Sequence, residues 1–483
     1  MKNIGFKFEN TYVRLPEILT KKLSPVPVKK PKLIIFNNDL ANEMGLNVSS
    51  VTTNDLEDLF SGNKLPDGSE PIAQAYCGHQ FGHFVMLGDG RAIVLGEHLT
   101  PSGKRIDIQF KGSGRTPYSR TGDGRATLGP MLREYLISEA MHYLKIPTTR
   151  SLAVVSTGEI VQRETALPGA VLTRVASSHI RIGTFQYLIA RQDIQSLKKL
   201  VNYTIRRHYP EINDSQNQAL ELFKIVIKKQ AYLISEWMRV SFIHGVMNTD
   251  NVTISGETID YGPCAFMEYY DPKTVFSSID SHGRYAFGNQ PSIAEWNLAR
   301  FAETLLPLFD KDEKKAISIA EQEISGFKNI FKRYFTKMMK RKLGLITDDS
   351  GDEVIMNDLF QLMYKNQADY TNTFIYLMNK SVSQEKLIKD KDFIEWENKW
   401  NSRLSKNQDT KKAKELMAQN NPIIIPRNHL VESALSKAEE GDLTSFNKLL
   451  SILKNPYQDL NQLNDFKQPA PYSEKGYQTF CGT

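Results

Sequence analysis

His244-Gly245-Val246-Met247-Asn248-Thr249-Asp250-Asn251, followed by a short β-like run Val252-Thr253-Ile254 and then by Asp260-Tyr261-Gly262-Pro263, is the stretch whose reading decides the fold. It sets an amide oxygen, on Asn251, nine positions before a carboxylate, on Asp260, with a glycine two positions further on. Another carboxylate, Asp250, directly precedes the Asn. Oxygen ligands of this kind suit Mg2+ or Mn2+, hard cations that keep waters and complete their shell with phosphate oxygens. An Asn and an Asp at this separation occur in most proteins, so the pair is informative only through the features that surround it.

Those features follow the spacing of a protein-kinase catalytic centre, in which a His-x-Asp-x4-Asn loop supplies a base and a metal ligand, and a downstream Asp-x-Gly supplies the second ligand. Asn251 and Asp260 occupy both metal positions. The base position holds Val246, which can neither accept a proton nor orient a hydroxyl. The expected fold is therefore α+β, a protein-kinase-like two-lobed architecture that holds a metal-bound nucleotide and does something other than ordinary phosphorylation with it.

The rest of the chain has the texture such a fold needs, β-like first and α-like afterwards. Residues 1–70, punctuated by Pro16, Pro25, Pro27 and Pro31, read as an irregular N-terminal extension with short elements. Residues 71–175 read as the nucleotide-binding lobe: Ala92-Ile93-Val94-Leu95 and Ile106-Asp107-Ile108-Gln109-Phe110-Lys111 are strands bounded by glycine, and more short strands follow near 151–175. Between them, Met131, Leu132, Tyr135, Leu136, Ala140 and Tyr143 fall at helical spacing over 128–144. Residues 176–390 read as a helical lobe carrying the catalytic loop, with one long helix over 215–240 marked by Leu220, Phe223, Ile227, Ala231, Ile234 and Met238. Residues 391–483 are C-terminal helices and a Pro-rich tail that carries Cys481.

Composition sets the boundaries of function. At roughly 150 residues per domain, 483 residues leave ample material for a core, and 40% hydrophobic with 24% charged residues is ordinary for a globular protein. A net charge of +6 over this length suits an anionic ligand such as ATP but lacks the concentrated basic stripe of a nucleic-acid binder. No apolar run approaches the ~18 residues of a membrane span, and the N-terminus lacks a signal-peptide apolar region, so a cytoplasmic location is expected; a monomer is the accompanying expectation. Cys77, Cys264 and Cys481 form neither a disulfide framework nor a closed zinc site. His79 and His83 lack a third ligand and read as structural, and residues 331–343 read as an amphipathic helix with a solvated basic face.

Lys111 ends a strand 23 residues before Glu134, in the manner of the strand Lys and helix Glu that order a kinase nucleotide site. Glu139 competes for that pairing, but lies about 140° further round the helix, so only one of the two can face the strand. The residues alone leave the choice open. The loop Gly112-Ser113-Gly114-Arg115-Thr116-Pro117-Tyr118-Ser119-Arg120-Thr121-Gly122-Asp123-Gly124-Arg125 combines glycines, whose backbone can approach phosphates, with guanidinium groups. With Arg91, Arg174 and Arg181 it offers more cations than a γ-phosphoryl transfer requires, a surplus suited to a pyrophosphate leaving group.

Together with the catalytic-loop stretch, Cys77-Gly78-His79-Gln80-Phe81-Gly82, Leu87-Gly88-Asp89-Gly90-Arg91 and Gln109-Phe110-Lys111-Gly112-Ser113-Gly114-Arg115-Thr116-Pro117-Tyr118-Ser119-Arg120 closely resemble the selenoprotein O family, from about residue 70 to the tail. The resemblance implies a protein adenylyltransferase that binds ATP flipped relative to kinases and passes AMP to a Ser, Thr or Tyr hydroxyl of a protein. It also favours Glu134 as the partner of Lys111. By the same resemblance Asp250 is the base, Asn251 and Asp260 are metal ligands, and Gly88, Gly90, Arg91, Lys111, Asp123, Gly124, Arg174, Arg181 and Asp260 contact the nucleotide. Cys481 stands near the place of the selenocysteine of animal members; Cys264 is the cysteine it could pair with, since Ser277 and Ser278 occupy the segment where some relatives carry one. Transfer of UMP, a conventional kinase using Asp250, and an inactive nucleotide-binding scaffold are the alternatives.

Overall fold

The computed structural model describes residues 4–382, 384–406, 409–459, 463–470 and 477–479. Its N-terminal half is built on one eight-stranded sheet: β1 (Thr20–Lys22), β2 (Lys32–Phe36), β3 (Ile72–Gln74), β6 (Ala92–Leu99), β7 (Arg105–Lys111), β8 (Ala126–Thr127), β9 (Arg150–Gln162) and β10 (Ala166–Ala176). The order is β1-β3-β6-β7-β10-β9-β2, with β8 paired to β10 and every ladder antiparallel. Between β3 and β6 the chain leaves the sheet to form a separate hairpin, β4 (Cys77–Gln80) and β5 (His83–Met86).

Side-chain alternation explains how this sheet serves two purposes. On one face Ile93, Leu95, Ile108, Phe110, Val171 and Val175 pack beneath helices α1 (Asn38–Met44) and α2 (Thr53–Ser61), whose Leu40, Met44, Leu59 and Phe60 close that core. Each such fully buried side chain contributes about 1.5–3 kcal/mol. The intervening positions Asp107, Gln109, Lys111 and Arg174 therefore point to the opposite face, and the ladder places Arg174 directly across from Gln109. That face is covered by α3 (Leu128–Tyr143), whose Met131, Leu132 and Leu136 join Val94, Val154 and Leu172 in the larger core that runs on into the helical half.

Three findings differ from the sequence reading. Segment 1–70 supplies both edge strands of the sheet and the two helices on its outer face. Its prolines fall in the connections, which is why the strands between them were hidden. The strands near 151–175 form a long hairpin whose strands, at 13 and 11 residues, are far from short. In α9 (Phe327–Lys342) most of the basic face is solvated, but Lys342 is buried, donating from Nζ to the Arg239 carbonyl at 2.8 Å with the Phe374 ring 3.9 Å away. Its position in the last turn aims it at the carbonyls that end the neighbouring helix.

In the helical half, α4 (Ile182–Ala190) and α5 (Ile194–His208) lead to α6 (Gln218–Arg239), which is capped by the Asn217 side chain and buries Phe223, Ile227, Ala231 and Ile234 against α7 (Gln290–Phe309) and α9. Directly after α6, β11 (Phe242–Ile243) pairs with β12 (Ala265–Phe266). This short ladder ties together the two ends of the segment that carries Asp250, Asn251 and Asp260. Among the described residues no helix is long and apolar enough to cross a membrane.

Candidate active site

Lys111 on β7 and Glu134 on α3 form an ion pair at 2.7 Å, and Arg174 on β10 reaches the other Glu134 oxygen at 2.5 Å. Both cations also hold Asp260: Arg174 at 3.1 Å, and Lys111 through a second ion pair to the same oxygen. Burial would raise the Glu134 pKa, but Arg174 and Lys111 outweigh it and leave the group below its usual value. The same balance, with burial opposed by Lys111, Arg174 and Arg91, holds Asp260 well below the usual carboxylate range. Glu139 faces elsewhere and pairs with Arg150 through two bonds of 2.7 and 2.8 Å. The competition between the two glutamates is settled by which cation the strands present to each side of α3.

Asp250 lies in a single 3-10 turn, Thr249–Asn251, and is buried at 8% exposure. Its Oδ1 is without a hydrogen-bond partner among the described residues. Burial, only partly offset by Arg181, pushes its pKa up to about 6. Three hydrogen bonds, one to α4 and two from the β4–β5 hairpin, hold the turn and the residue before it. Thr249 Oγ1 donates to Gln186 Oε1 on α4 at 2.7 Å, His79 N–H donates to Thr249 Oγ1 at 2.8 Å, and Phe81 N–H donates to Asn248 Oδ1 at 3.0 Å. The hairpin β4–β5 is thus clamped over this turn, and at Gly78 a Cβ would lie 2.1 Å from Asp250 Oδ1. Val246 is buried; its carbonyl accepts from Asn251 Nδ2 at 3.1 Å, which leaves the Asn251 amide oxygen as the remaining acceptor of that side chain.

Arg181 is wedged beside this turn. It donates from Nη1 to the Asp250 carbonyl at 3.2 Å and from Nε to the His179 carbonyl at 3.1 Å, stacks over the Tyr76 ring at 4.2 Å and lies 3.9 Å from Asp89 Oδ1. Gly88 and Gly90 flank Asp89 against the 112–125 loop: a Cβ on Gly88 would meet the Tyr118 ring at 2.3 Å, and the Ser119 hydroxyl donates to the Gly90 carbonyl. Arg91 adjoins Lys111 across the β6–β7 ladder, its carbonyl accepting from Gly112 N–H at 2.7 Å. Gly124 packs against Gly114 within that loop, whereas Asp123 is 44% exposed and points to Arg163 at 2.9 Å.

Among the described residues no group of three or more His, Cys, Asp or Glu side chains could hold a metal on its own. The donor set fits a different arrangement. Asp260 is held ionised with its side chain 30% exposed, Asn251 keeps an amide oxygen, and Asp250, next to it in the chain, has an unpartnered oxygen. Two or three hard oxygens suit a cation that takes its other ligands from phosphates and water. His79 is structural, lying between the rings of Phe84 and Trp296 with Nδ1 accepting from Gln186, and His83 is exposed. Cys264 is buried, and burial pushes its thiol up to about 12; Cys481 lies outside the described residues. The tail residue Thr479 docks nearby, donating from Oγ1 to the Pro263 carbonyl at 2.7 Å and from N–H to the Phe276 carbonyl at 2.7 Å.

The family model described as protein adenylyltransferase SelO matches residues 2–454. The chain belongs to the SelO family. It is accordingly a nucleotidyltransferase that acts on proteins. A protein of Pelagibacter ubique named protein nucleotidyltransferase YdiU is 56% identical over 481 residues, covering 99% of this chain and all of that one, and one of Nitrosococcus oceani with the same name is 56% identical over 486 residues, covering 100% and 98%. A solved structure of ROP2 from Toxoplasma gondii, described as having a protein-kinase fold and no enzymatic activity, is 8% identical with a TM-score of 0.25 over 70% of this chain and 84% of that one, too slight a likeness to argue from.

Sequence reasoning missed several residues that hold this SelO site together. Gln186, Thr249, Tyr76 and Asp89 act only through contacts between distant segments, and a lone Gln on a helix carries no local signal. Gly78 was in view, in Cys77-Gly78-His79, but its neighbour Asp250 is far away in the chain.

Proposed function

We propose that this chain transfers AMP from ATP to a Ser, Thr or Tyr hydroxyl of a protein, with Asp250 as the general base. The observation that carries the reading is the pairing of a buried Val246 at the kinase base position with a buried, unpartnered Asp250 carboxylate oxygen close enough to Asp260 to feel its charge, Asp260 itself being tied into the Lys111–Glu134 network. In the reaction the acceptor oxygen bonds to the α-phosphorus, Asp250 takes the hydroxyl proton, and the bond from the α-phosphorus to the bridging oxygen breaks to release pyrophosphate. Charge develops on that leaving group, and Lys111, Arg91, Arg174 and Arg181 are the cations that would meet it. Asn251 and Asp260 would hold Mg2+ or Mn2+, which supplies neutralising charge on the phosphates when bound. Gly88, Gly90 and Gly124 would let the backbone approach the nucleotide, and Asp123, although turned to Arg163, lies on the same loop. A pKa of about 6 makes Asp250 an ionised base at neutral pH without making it too weak to take a proton.

The test is incubation with ATP labelled separately at the α and γ phosphates, and with UTP in parallel. Attachment of α label to protein, with none from γ, is expected. Transfer of γ label with none from α restores the kinase reading, and stronger labelling from UTP replaces AMP by UMP.

A further inference from the structure

The hairpin β4–β5 is anchored on its inner side and open on its outer side. A two-stranded hairpin alone is at best marginally stable, so its shape depends on the bonds from His79 and Phe81 to the catalytic loop. β4 lies against α4 and the Thr249–Asn251 turn. β5 has no other strand beside it among the described residues. The bond from Leu87 N–H to the Tyr76 carbonyl sets the alternation of the ladder, so the peptide groups of Val85 and His83 turn inward and those of Phe84 and Met86 turn outward. Arg120 donates to the outward carbonyl of Met86, in keeping with that alternation.

Exposed edge strands are usually blunted with charges or proline. Here Arg120 covers one end of the edge at the Met86 carbonyl, and the strand still presents Phe84 at 45% and Met86 at 41% exposure on one side. It also lies one strand away from Gly78, the backbone that abuts the Asp250 carboxylate. A strand added to β5 would run about 10 Å from Gly78, at roughly 4.8 Å per strand, a gap that about three extended residues can cross.

We propose that the outer edge of β5 is the docking site for the acceptor protein: an extended segment adds to the hairpin as a third strand, pairing with the outward N–H and carbonyl of Phe84 and with the N–H of Met86, whose carbonyl Arg120 already holds. An apolar side chain of the segment rests on Phe84 and Met86, on the hairpin face that carries Cys77 and His79, and a hydroxyl a few residues along reaches Asp250 on the opposite face, where Gly78 meets it. Main-chain pairing supplies affinity without demanding one sequence, and the apolar rest supplies selectivity. The inference rests on the AMP-transfer reading for what happens next but not for the docking itself.

The test uses dephosphorylated casein, an unfolded protein rich in Ser, as the acceptor probe, with the full chain and ATP labelled at the α-phosphate. Phe84→Asp and, separately, Met86→Lys are expected to raise the KM for casein about tenfold, as loss of one apolar contact of this size would, with kcat and the Kd for ATP unchanged. Phe84→Leu, which keeps the apolar surface, is expected to stay near wild type. Fluorescence anisotropy of labelled casein reads docking without turnover. Weaker casein binding in both charged variants upholds the docking site even if no protein transfers AMP, in which case the transfer reading alone falls. Unchanged casein affinity in both charged variants, with ATP binding intact, overturns the docking site whatever the transfer assay shows.

Discussion

Gly78→Ala is the substitution that most directly probes how the hairpin and the catalytic loop fit. Its backbone needs no glycine-only angle, so the effect is one of space alone. The added Cβ would lie 2.1 Å from Asp250 Oδ1, 2.7 Å from its Cγ and 3.0 Å from its Cβ, whereas ordinary contact begins at 3.4 Å. Either the Asp250 side chain must turn away, or the hairpin or the 3-10 turn must give way by about 1 Å or more, and displacement of a reacting group on that scale costs on the order of 10²-fold in rate. AMP transfer to protein, followed with α-labelled ATP, should therefore fall about 10²-fold in kcat. The Kd for ATP should hold, because Lys111, Arg174 and Asp260 pair with one another and do not touch Gly78. Asp250→Ala should itself lower kcat by about 10²-fold or more by removing the base. It also removes the two atoms nearest the new Cβ, so Gly78→Ala in the Asp250→Ala background should add almost nothing. A Gly78→Ala enzyme with wild-type kcat, or a double variant whose losses multiply, would refute the steric reasoning.

Two further outcomes follow from other parts of the structure. Asp260→Asn should weaken ATP binding in the presence of Mg2+ by at least about tenfold, since it deletes an anionic oxygen next to the phosphates; calorimetric titrations that give the same affinity with and without Mg2+ in wild type and variant would remove Asp260 from the metal site. His179 is buried with Nδ1 donating to Asp107 at 3.0 Å, and burial, opposed by Asp107 and reinforced by Arg174 and Arg181, lowers its pKa to about 4. Because the unfolded state takes up that proton near the ordinary value of 6.5 and the native state does not, stability should be lost as pH falls from 6.5 towards 4, by about 3 kcal/mol for this group. Denaturant titrations across that window should show a shallower loss in His179→Gln, and an unchanged slope would show that the group is not the one titrating.

Local pattern alone determined much of this protein. The spacing from His244 to Asn251 and on to Asp260 is a property of one continuous stretch, and a β11–β12 ladder at its ends needs only short-range closure. The stripe from Phe223 to Ile234 and the alternation in β7 are likewise local, because a helix repeats every 3.6 residues and a strand every two whatever they pack against. Tertiary structure decided the rest. Glu134 and Glu139 are chemically equal on α3 until β7 and β10 bring Lys111 and Arg174 to one side and β9 brings Arg150 to the other. The Asp250 carboxyl has an ordinary affinity for protons until the hairpin and α4 bury it against the partial opposition of Arg181, and no property of residues 77–86 in isolation says that they will fold over a loop more than 160 positions away. Desolvation and ion pairing depend on what arrives from elsewhere in the chain, so a residue's charge and reach can be read from its own neighbourhood in sequence, while its pKa and its partner are set only once the two halves have closed on each other.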